Sequence, residues 1–533
     1  MADQATLNPE QAVSYPEGWT RWMIAIAVMA SAVMELVDTS AVNVSIPYMA
    51  GNLSASIDEA TWVLTSYLVS NAIMLPLTGW LSARFGRKRL LLTAVTGFTC
   101  ASILCGLAPS LPLLISFRVL QGGFGGLLQP ITRAILLESF PREERGHAMA
   151  MWGVGIVVAP IVAPLLGGWL TTDYSWRWVF FINVPVSIFA LTMVNAYVFD
   201  PSYLKRIKQG ADTWGIILLA FGIAALQVVL DKGQEADWFS SHLIVVGAVI
   251  AAVCLVAFVI WELRAPNPVV HLRLLKYRTF GTACALSLIL FFVLYGSILL
   301  LPLFMQEVLN FPAVTAGVWN MPRGIATMIG MPIVGILIGK RWDMRGMLFC
   351  GLVASAIGVL MFGQLNGQSG PWGFFWPQIV MGAGLSLVFV PFATISVDPI
   401  PNPEMGYATS ITGLTRNLGS SFGISVMATA LSRGEQAHHA RLVAHVNSAN
   451  PISSMLHSAI AQGLLRDGSS IAQAAQQAWG VLQGEVMRQA TVLSYLDAFR
   501  ALAIIFFIAS PLVFLMKQPK FDKGAGARGQ GSA

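Results

Sequence analysis

The stretch Gly79-Trp80-Leu81-Ser82-Ala83-Arg84-Phe85-Gly86-Arg87-Lys88-Arg89 decides how the whole chain is read. It packs Arg84, Arg87, Lys88 and Arg89 and two glycines into the junction of two long apolar runs, Ala60–Leu81 and Leu90–Leu107. A bilayer core of ~30 Å takes roughly 20 apolar residues in a helix. Lipid satisfies no backbone polar group, so runs of this length are helices. A short basic connection between two of them marks the side that stays in the cytoplasm. The glycines permit a tight turn and close helix approach.

The same grammar extends in both directions. Apolar runs recur from Trp22–Pro47 to Leu496–Met516, about fourteen in all, with Gly406–Leu431 the last but one. Basic residues also follow the fourth, sixth, eighth, tenth and last: Arg142 and Arg145; Lys205, Arg206 and Lys208; Arg264, Arg273, Lys276 and Arg278; Lys340, Arg341 and Arg345; Lys517, Lys520 and Lys523. The opposite connections hold almost none before the long one at 432–494. The expectation is an all-α membrane protein with both termini cytoplasmic, in the inner membrane of a bacterial cell. Composition agrees: 56% of the 533 residues are hydrophobic and 11% charged, too little charge to cover a soluble surface. The net charge of +6 therefore reads as orientation rather than nucleic-acid binding. Cys100, Cys105, Cys254, Cys284 and Cys350 show no metal-ligand spacing and read as free thiols. There is no phosphate-cradling GxxxxGK[ST] loop, so ATP drive is not expected, nor is any cofactor beyond a proton gradient.

Pro141–Ala148 resembles Pro401–Ala408, a shift of 406 − 146 = 260 residues. The shift also sets Gly79 on Gly339, Gly86 on Gly346, Gly122 on Gly382 and Gly153 on Gly413. Two six-helix halves with two inserted helices give this pattern, and repeated halves handle substrate between them near the membrane midplane. The expected division is a tail at 1–21, a first half at 22–199, inserted helices at 200–263, a second half at 264–516 and a tail at 517–533.

The 79–89 segment resembles motif A of the major facilitator superfamily, with Ala83 where that motif carries an Asp; at the 260 shift the second half has Asp343. The segment around Asp38 and Asn43 is similar to the first-helix signature of the 14-helix drug:proton antiporters. Phe117–Gly122 resembles motif B, and Gly155 with Pro160, Pro164 and Gly167-Gly168 resembles the antiporter motif C. Trp176–Pro185 matches the sixth-helix signature. The chain resembles the EmrB/QacA group. That resemblance implies a major facilitator fold, proton-driven export of amphipathic small molecules, and a role for the motif B arginine in proton transfer. It also implies a periplasmic adaptor and an outer-membrane channel as partners.

The residues themselves suggest where the chemistry lies. Glu35 and Asp38 are three apart and share a helix face. A charge in a bilayer is costly unless paired or hydrated, and two adjacent acids raise each other's proton affinity. Arg118 is the natural counter-ion, as a proton-coupling partner or as a plain structural pair. At the 260 shift Asp38 falls on Ile298 and Arg118 on Gln378, so proton handling is expected in the first half. Asn43, Gln121, Gln129, Gln378, Arg416 and Asn417 are the candidate cavity residues; Arg416 meets anionic cargo or snorkels. Gly79, Arg84, Gly86, Arg87, Asp343 and Arg345 form the candidate gating loops. Gly155, Pro160, Pro164 and Gly168 bend the fifth helix, for a proton-tight path or for packing alone. In the long loop, Ile471, Ala475, Ala478, Leu482 and Val486 recur at helical spacing, so Ser470–Arg488 is an amphipathic helix resting on lipid or on a partner. Two rival readings remain: a dedicated exporter of a native fatty acid, lipid or siderophore, and a membrane-embedded lipid-modifying enzyme.

Overall fold

The computed structural model describes residues 16, 18–141, 144–200, 212–366, 368–447, 450–467 and 469–518. Arg142, Lys205, Arg206, Lys208, Lys520 and Lys523, and most of both tails, lie outside the described residues. The first half comprises α1 (Trp19–Asn52), α2 (Ile57–Phe85), α3 (Arg87–Leu107), α4 (Leu111–Ser139), α5 (Arg145–Asp173), α6 (Trp178–Phe181) and α7 (Asn183–Tyr197). An inserted pair follows, α8 (Thr213–Lys232) and α9 (His242–Arg264). The second half holds α10 (Arg278–Leu303), α11 (Ala313–Gly339), α12 (Met344–Phe362), α13 (Phe375–Ile395), α14 (Met405–Val443), α15 (Pro451–Arg466) and α16 (Ile471–Ala509).

Helix boundaries follow local chemistry. Ser56 and Glu59 form a capping box at the start of α2, and Ser470 and Gln473 another at α16. Gly86, at φ +88°, breaks α2 from α3 in a conformation few other residues adopt. Asp200 fills the space beside Gly86 and accepts a hydrogen bond from the Lys88 backbone N–H at 2.9 Å. An acid from beyond α7 thus caps α3, at the turn where Ala83 stands in place of the motif's Asp.

Among the described residues thirteen helices are long and apolar enough to cross a membrane. The run Gly406–Leu431 is the exception: α14 contains it but is too polar to qualify on composition. It packs against α10, α2, α16, α4 and α8, so its Thr, Ser and Asn side chains meet protein rather than lipid.

The expected loop at 432–494 is corrected. Helix α14 runs unbroken to Val443, α15 follows, and α16 starts at Ile471 and continues straight into the apolar span. The stripe read at 470–488 is covered in part inside the chain, with Ile471 left exposed and Ala475 and Val486 half-buried. Ala474, Ala478 and Leu482 are buried, His457 of α15 bonds the Ala475 carbonyl at 2.9 Å, and its ring lies 4.5 Å from that of Trp479. The partner helix that the stripe calls for is α15, and burying it there removes apolar area from water.

Two seams join the halves at the end carrying the basic loops, and the 260 shift exchanges them. At one, a Cβ on Gly79 of α2 would stand 2.7 Å from Tyr407 Cα, and one on Gly406 of α14 2.8 Å from Ser82 Oγ. At the other, a Cβ on Gly339 of α11 would stand 3.0 Å from His147 Cε1, and one on Gly146 of α5 2.9 Å from Ile338. Arg133 of α4 adds bonds across the halves to Thr412, the Ala393 carbonyl and Ser396 at 3.2, 3.3 and 3.4 Å. This end is closed.

Candidate functional site

Two polar centres lie side by side between α1, α2 and α4. Asp38 and Arg118 are fully buried and form an ion pair, Arg118 Nη1 to Asp38 Oδ2, at 2.7 Å. The other carboxylate oxygen accepts from Gln121 Nε2 at 2.9 Å and Asn183 Nδ2 at 2.7 Å. Arg118 Nε donates to the Val63 carbonyl at 3.1 Å, and its guanidinium lies 4.2 Å from the Tyr67 ring centroid. Asn183 is held by the Ser102 hydroxyl at 2.9 Å. These bonds to Asp38, Val63 and Asn183 span different helices, and burial strengthens each.

Glu35 forms the second centre. It accepts from Tyr67 Oη at 3.3 Å, Asn71 Nδ2 at 3.1 Å and Gln129 Nε2 at 2.8 Å. All three donors are neutral. The two acids therefore do not share a site, as adjacency along α1 had suggested: Arg118 takes one and uncharged donors take the other, with Tyr67 between them.

Several expected positions move. Gln121 and Gln129 do not line an open cavity; both are buried and bonded to the acids. They sit on the α4 face that packs on α1, so their amides point into the protein. Gln378 is also buried, donating to the Trp319 carbonyl at 3.3 Å and Asn320 at 3.2 Å. Asn43 is exposed, and Arg416 and Asn417 are half-buried. The Arg416 guanidinium stands 5.7 Å from the Phe291 ring and within electrostatic range of Glu35.

In the loop after α2, Arg87 forms a buried ion pair with Glu138 at the end of α4, and Arg84 stacks over Trp80 at 5.3 Å. Asp343 is a local cap: it accepts from the Arg345 backbone N–H at 3.0 Å and lies 3.5 Å from its guanidinium. In α5, Gly155 faces Met29 and Val33 of α1, and Gly167 faces the Ala41 backbone. Gly168 has only Val44 at 4.0 Å, so its neighbour makes the close approach; Pro160 is exposed and Pro164 half-buried.

Sequence reading missed Tyr67, Asn71, Ser102, Arg133 and Glu138 as site or gate residues. Asn71, Arg133 and Glu138 carry a visible signal, a strongly polar side chain inside an apolar run. Tyr67 and Ser102 carry none, because such residues also occur on ordinary packed faces.

Two helical halves that meet at one end, with a buried carboxylate–guanidinium pair in one of them, define a membrane transporter. The chain belongs to the Major Facilitator Superfamily, whose model matches residues 28–424. It is 37% identical over 513 residues to the Multidrug export protein EmrB of Haemophilus influenzae, covering 93% of this chain and 97% of that protein. It is 34% identical over 513 residues to the Fatty acid resistance protein FarB of Neisseria gonorrhoeae, covering 95% of this chain and 97% of that one. Among solved structures it resembles the human organic anion transporter MFSD10 (TETRAN), with a TM-score of 0.59 at 13% identity over 92% of this chain and 99% of the other; this likeness concerns the fold.

Proposed function

We propose that the protein exports amphipathic small molecules, several drugs among them, across a bacterial inner membrane in exchange for protons. The observation that carries this reading is the fully buried Asp38–Arg118 pair, which the second half lacks. In the closed-end state the Asp38 carboxylate holds Arg118. A proton arriving from the opposite side neutralises the carboxylate and loosens Arg118 from it. Loss of that bond lowers the cost of opening the Gly79–Tyr407 and Gly339–His147 seams, and the proton leaves on the other side. Cargo takes the reverse route through the space between the halves, near Arg416 and Asn43. The basic loops support a cytoplasmic position for the closed end and both termini.

The α14–α15–α16 hairpin then stands in the periplasm. Its outward apolar residues Ile452, Met455 and Ile471, the last of them the uncovered start of the stripe, are exposed, and they are the surface for a periplasmic adaptor that leads to an outer-membrane channel.

Two observations favour an acidic cargo, a fatty acid among them. Arg416 rests on an aromatic ring, and Nη1 of Arg323 in α11 is buried with no hydrogen-bond partner. Guanidinium groups of this kind suit a carboxylate on an apolar tail. Proton-dependent efflux of a lipophilic cation and a lipophilic acid from inverted vesicles tests both readings. A collapsed proton gradient should abolish export of whichever is carried; export that survives the collapse contradicts antiport.

A further inference from the structure

We infer that Tyr67 is a positioning residue that ties the two acid centres together, so that a change at Asp38 is felt at Glu35; this rests on the proton-coupled reading above. Tyr67 is buried, and its side chain reaches both centres by different chemistry. Its ring face carries the Arg118 guanidinium at 4.2 Å, while its hydroxyl donates to Glu35 at 3.3 Å. A cation over a ring face is attracted to the aromatic quadrupole, the more so when desolvated. The ring therefore helps set where Arg118 lies when it pairs with Asp38.

Helix α4 is shaped to admit this side chain. A Cβ on Gly125 would stand 2.5 Å from the Tyr67 hydroxyl, and one on Gly122 would collide with the Tyr67 carbonyl. Of these two glycines, one turn apart on the helix that bears Arg118, Gly122 lets the backbone at Tyr67 come close and Gly125 clears the hydroxyl. A tyrosine placed there only as filler needs no partner for its oxygen beyond a convenient one. Here that oxygen is directed at the second carboxylate.

The charged and titratable groups around it come from four helices. Helix α1 supplies Glu35 and Asp38, α4 supplies Arg118, α14 supplies Arg416 and α10 supplies Tyr295. Cys105 of α3 lies beyond, against Gln121 at 3.5 Å. When Asp38 is ionised, Arg118 is drawn to it and over the ring, and the phenol is held against Glu35. When Asp38 is neutral, Arg118 is freer and so is the ring. The Glu35 carboxylate then loses one of its three donors, and its hold on a proton changes in step with Asp38. Gln129 completes the arrangement. Its Nε2 donates to Glu35, while its Oε1 is buried with no partner, so turning the amide over provides an acceptor for a protonated Glu35.

The test uses the full-length protein in proteoliposomes, with cargo exchange followed across a series of imposed pH values. Tyr67→Phe keeps the ring over Arg118 and removes the hydroxyl, with its bond to Glu35 and its contact with the neutral Thr39; Tyr67→Leu removes the ring as well. The Phe variant should retain exchange, with its half-maximal pH moved alkaline by about half a unit or more, since a carboxylate that loses a donor holds its proton more tightly. In a Glu35→Gln background the same Tyr67→Phe change should shift nothing further. The Leu variant should lose at least about tenfold in rate at equal protein per vesicle. A Phe profile that superimposes on the wild type, or an equal shift with Glu35→Gln already in place, overturns the inference. If the Leu variant is not recovered in the membrane, the Phe variant and the double mutant decide alone. Absence of any proton-driven exchange in the wild type would instead sink the antiport reading itself.

Discussion

Gly79 and Tyr407 meet across the seam between the halves so closely that a Cβ on Gly79 would lie 2.7 Å from the Tyr407 Cα. Backbone is on both sides of this contact, so no side chain can rotate out of the way. Gly79→Val should therefore oppose closure of this end, at a cost of about 1–3 kcal/mol to the closed state. Spin labels on Arg84→Cys and Glu404→Cys should report a longer distance in this background. Gly339→Ala, which meets only the rim of the His147 ring at 3.0 Å, should have a milder effect. Distance distributions equal to those of the parent in both variants would contradict the gating role of the seams.

Asp38→Asn should abolish proton-driven efflux while leaving the protein in the membrane. The substitution strands Arg118 in a buried site, where removing one partner of a pair costs about 3–5 kcal/mol. Adding Arg118→Gln should recover much of that stability in a thermal melt, without recovering transport. Arg118→Ala alone should lose transport. Arg118→Lys should keep part of it, because the ammonium replaces the charge but not the fork that reaches Asp38, Gln121 and the Val63 carbonyl together. Wild-type pH-driven transport by Asp38→Asn would remove this carboxylate from the coupling role.

His271, in the connection from α9 to α10, stacks on Tyr407 with centroids 3.8 Å apart and planes within 7°. Burial, and next the nearby Arg273, hold its imidazole below the ordinary histidine value. A pocket of about 630 Å³ beside it is lined also by Trp80, Glu262, Lys276 and Glu404. The folded protein binds this proton less readily than the unfolded chain does. The stabilisation from the neutral stack is therefore complete above about pH 6.5 and is lost as pH falls through the lower, folded-state value. His271→Phe keeps a flat ring and removes the titration, so its melting temperature should fall less than the wild type's between pH 7 and 5. Parallel curves for the two proteins over that range would show that the imidazole is not a pH-sensitive part of the closed end.

If the hairpin receives an adaptor, replacing Ile452, Met455 and Ile471 with serine should spare transport in vesicles and remove drug resistance in whole cells that have an outer membrane. All three are exposed, Ile471 at 80%, so folding should be little affected. Equal loss in the two assays, or no loss in either, would exclude docking on this face. The choice of point substitutions follows from the structure, since excising Ser470–Arg488 would cut a helix that continues into the membrane.

The apolar runs, the basic connections and the glycine-bearing turns are one-dimensional features. A helix that must cross ~30 Å of hydrocarbon advertises itself by length and composition alone. That is why the spanning helices and the fold class were legible in the sequence, and why Asp38 and Arg118 stood out as charges inside apolar runs. The misread elements had other causes. Helix α14 is polar because protein surrounds it, and the stripe at 471–486 looked vacant because only the tertiary structure sets the separate helix α15 against it.

By itself the sequence determined the class of fold and offered the charges inside its apolar runs as candidates, because each rests on residue type and local spacing. Only the tertiary structure decided which groups those charges meet. Asp38 is bonded to Asn183, 145 positions away, and Glu35 to Gln129, 94 away. Such partners depend on how each helix is rotated about its axis and on which glycines let it approach. The rotation is fixed by packing summed over several neighbouring helices, so no local stretch of the chain encodes it.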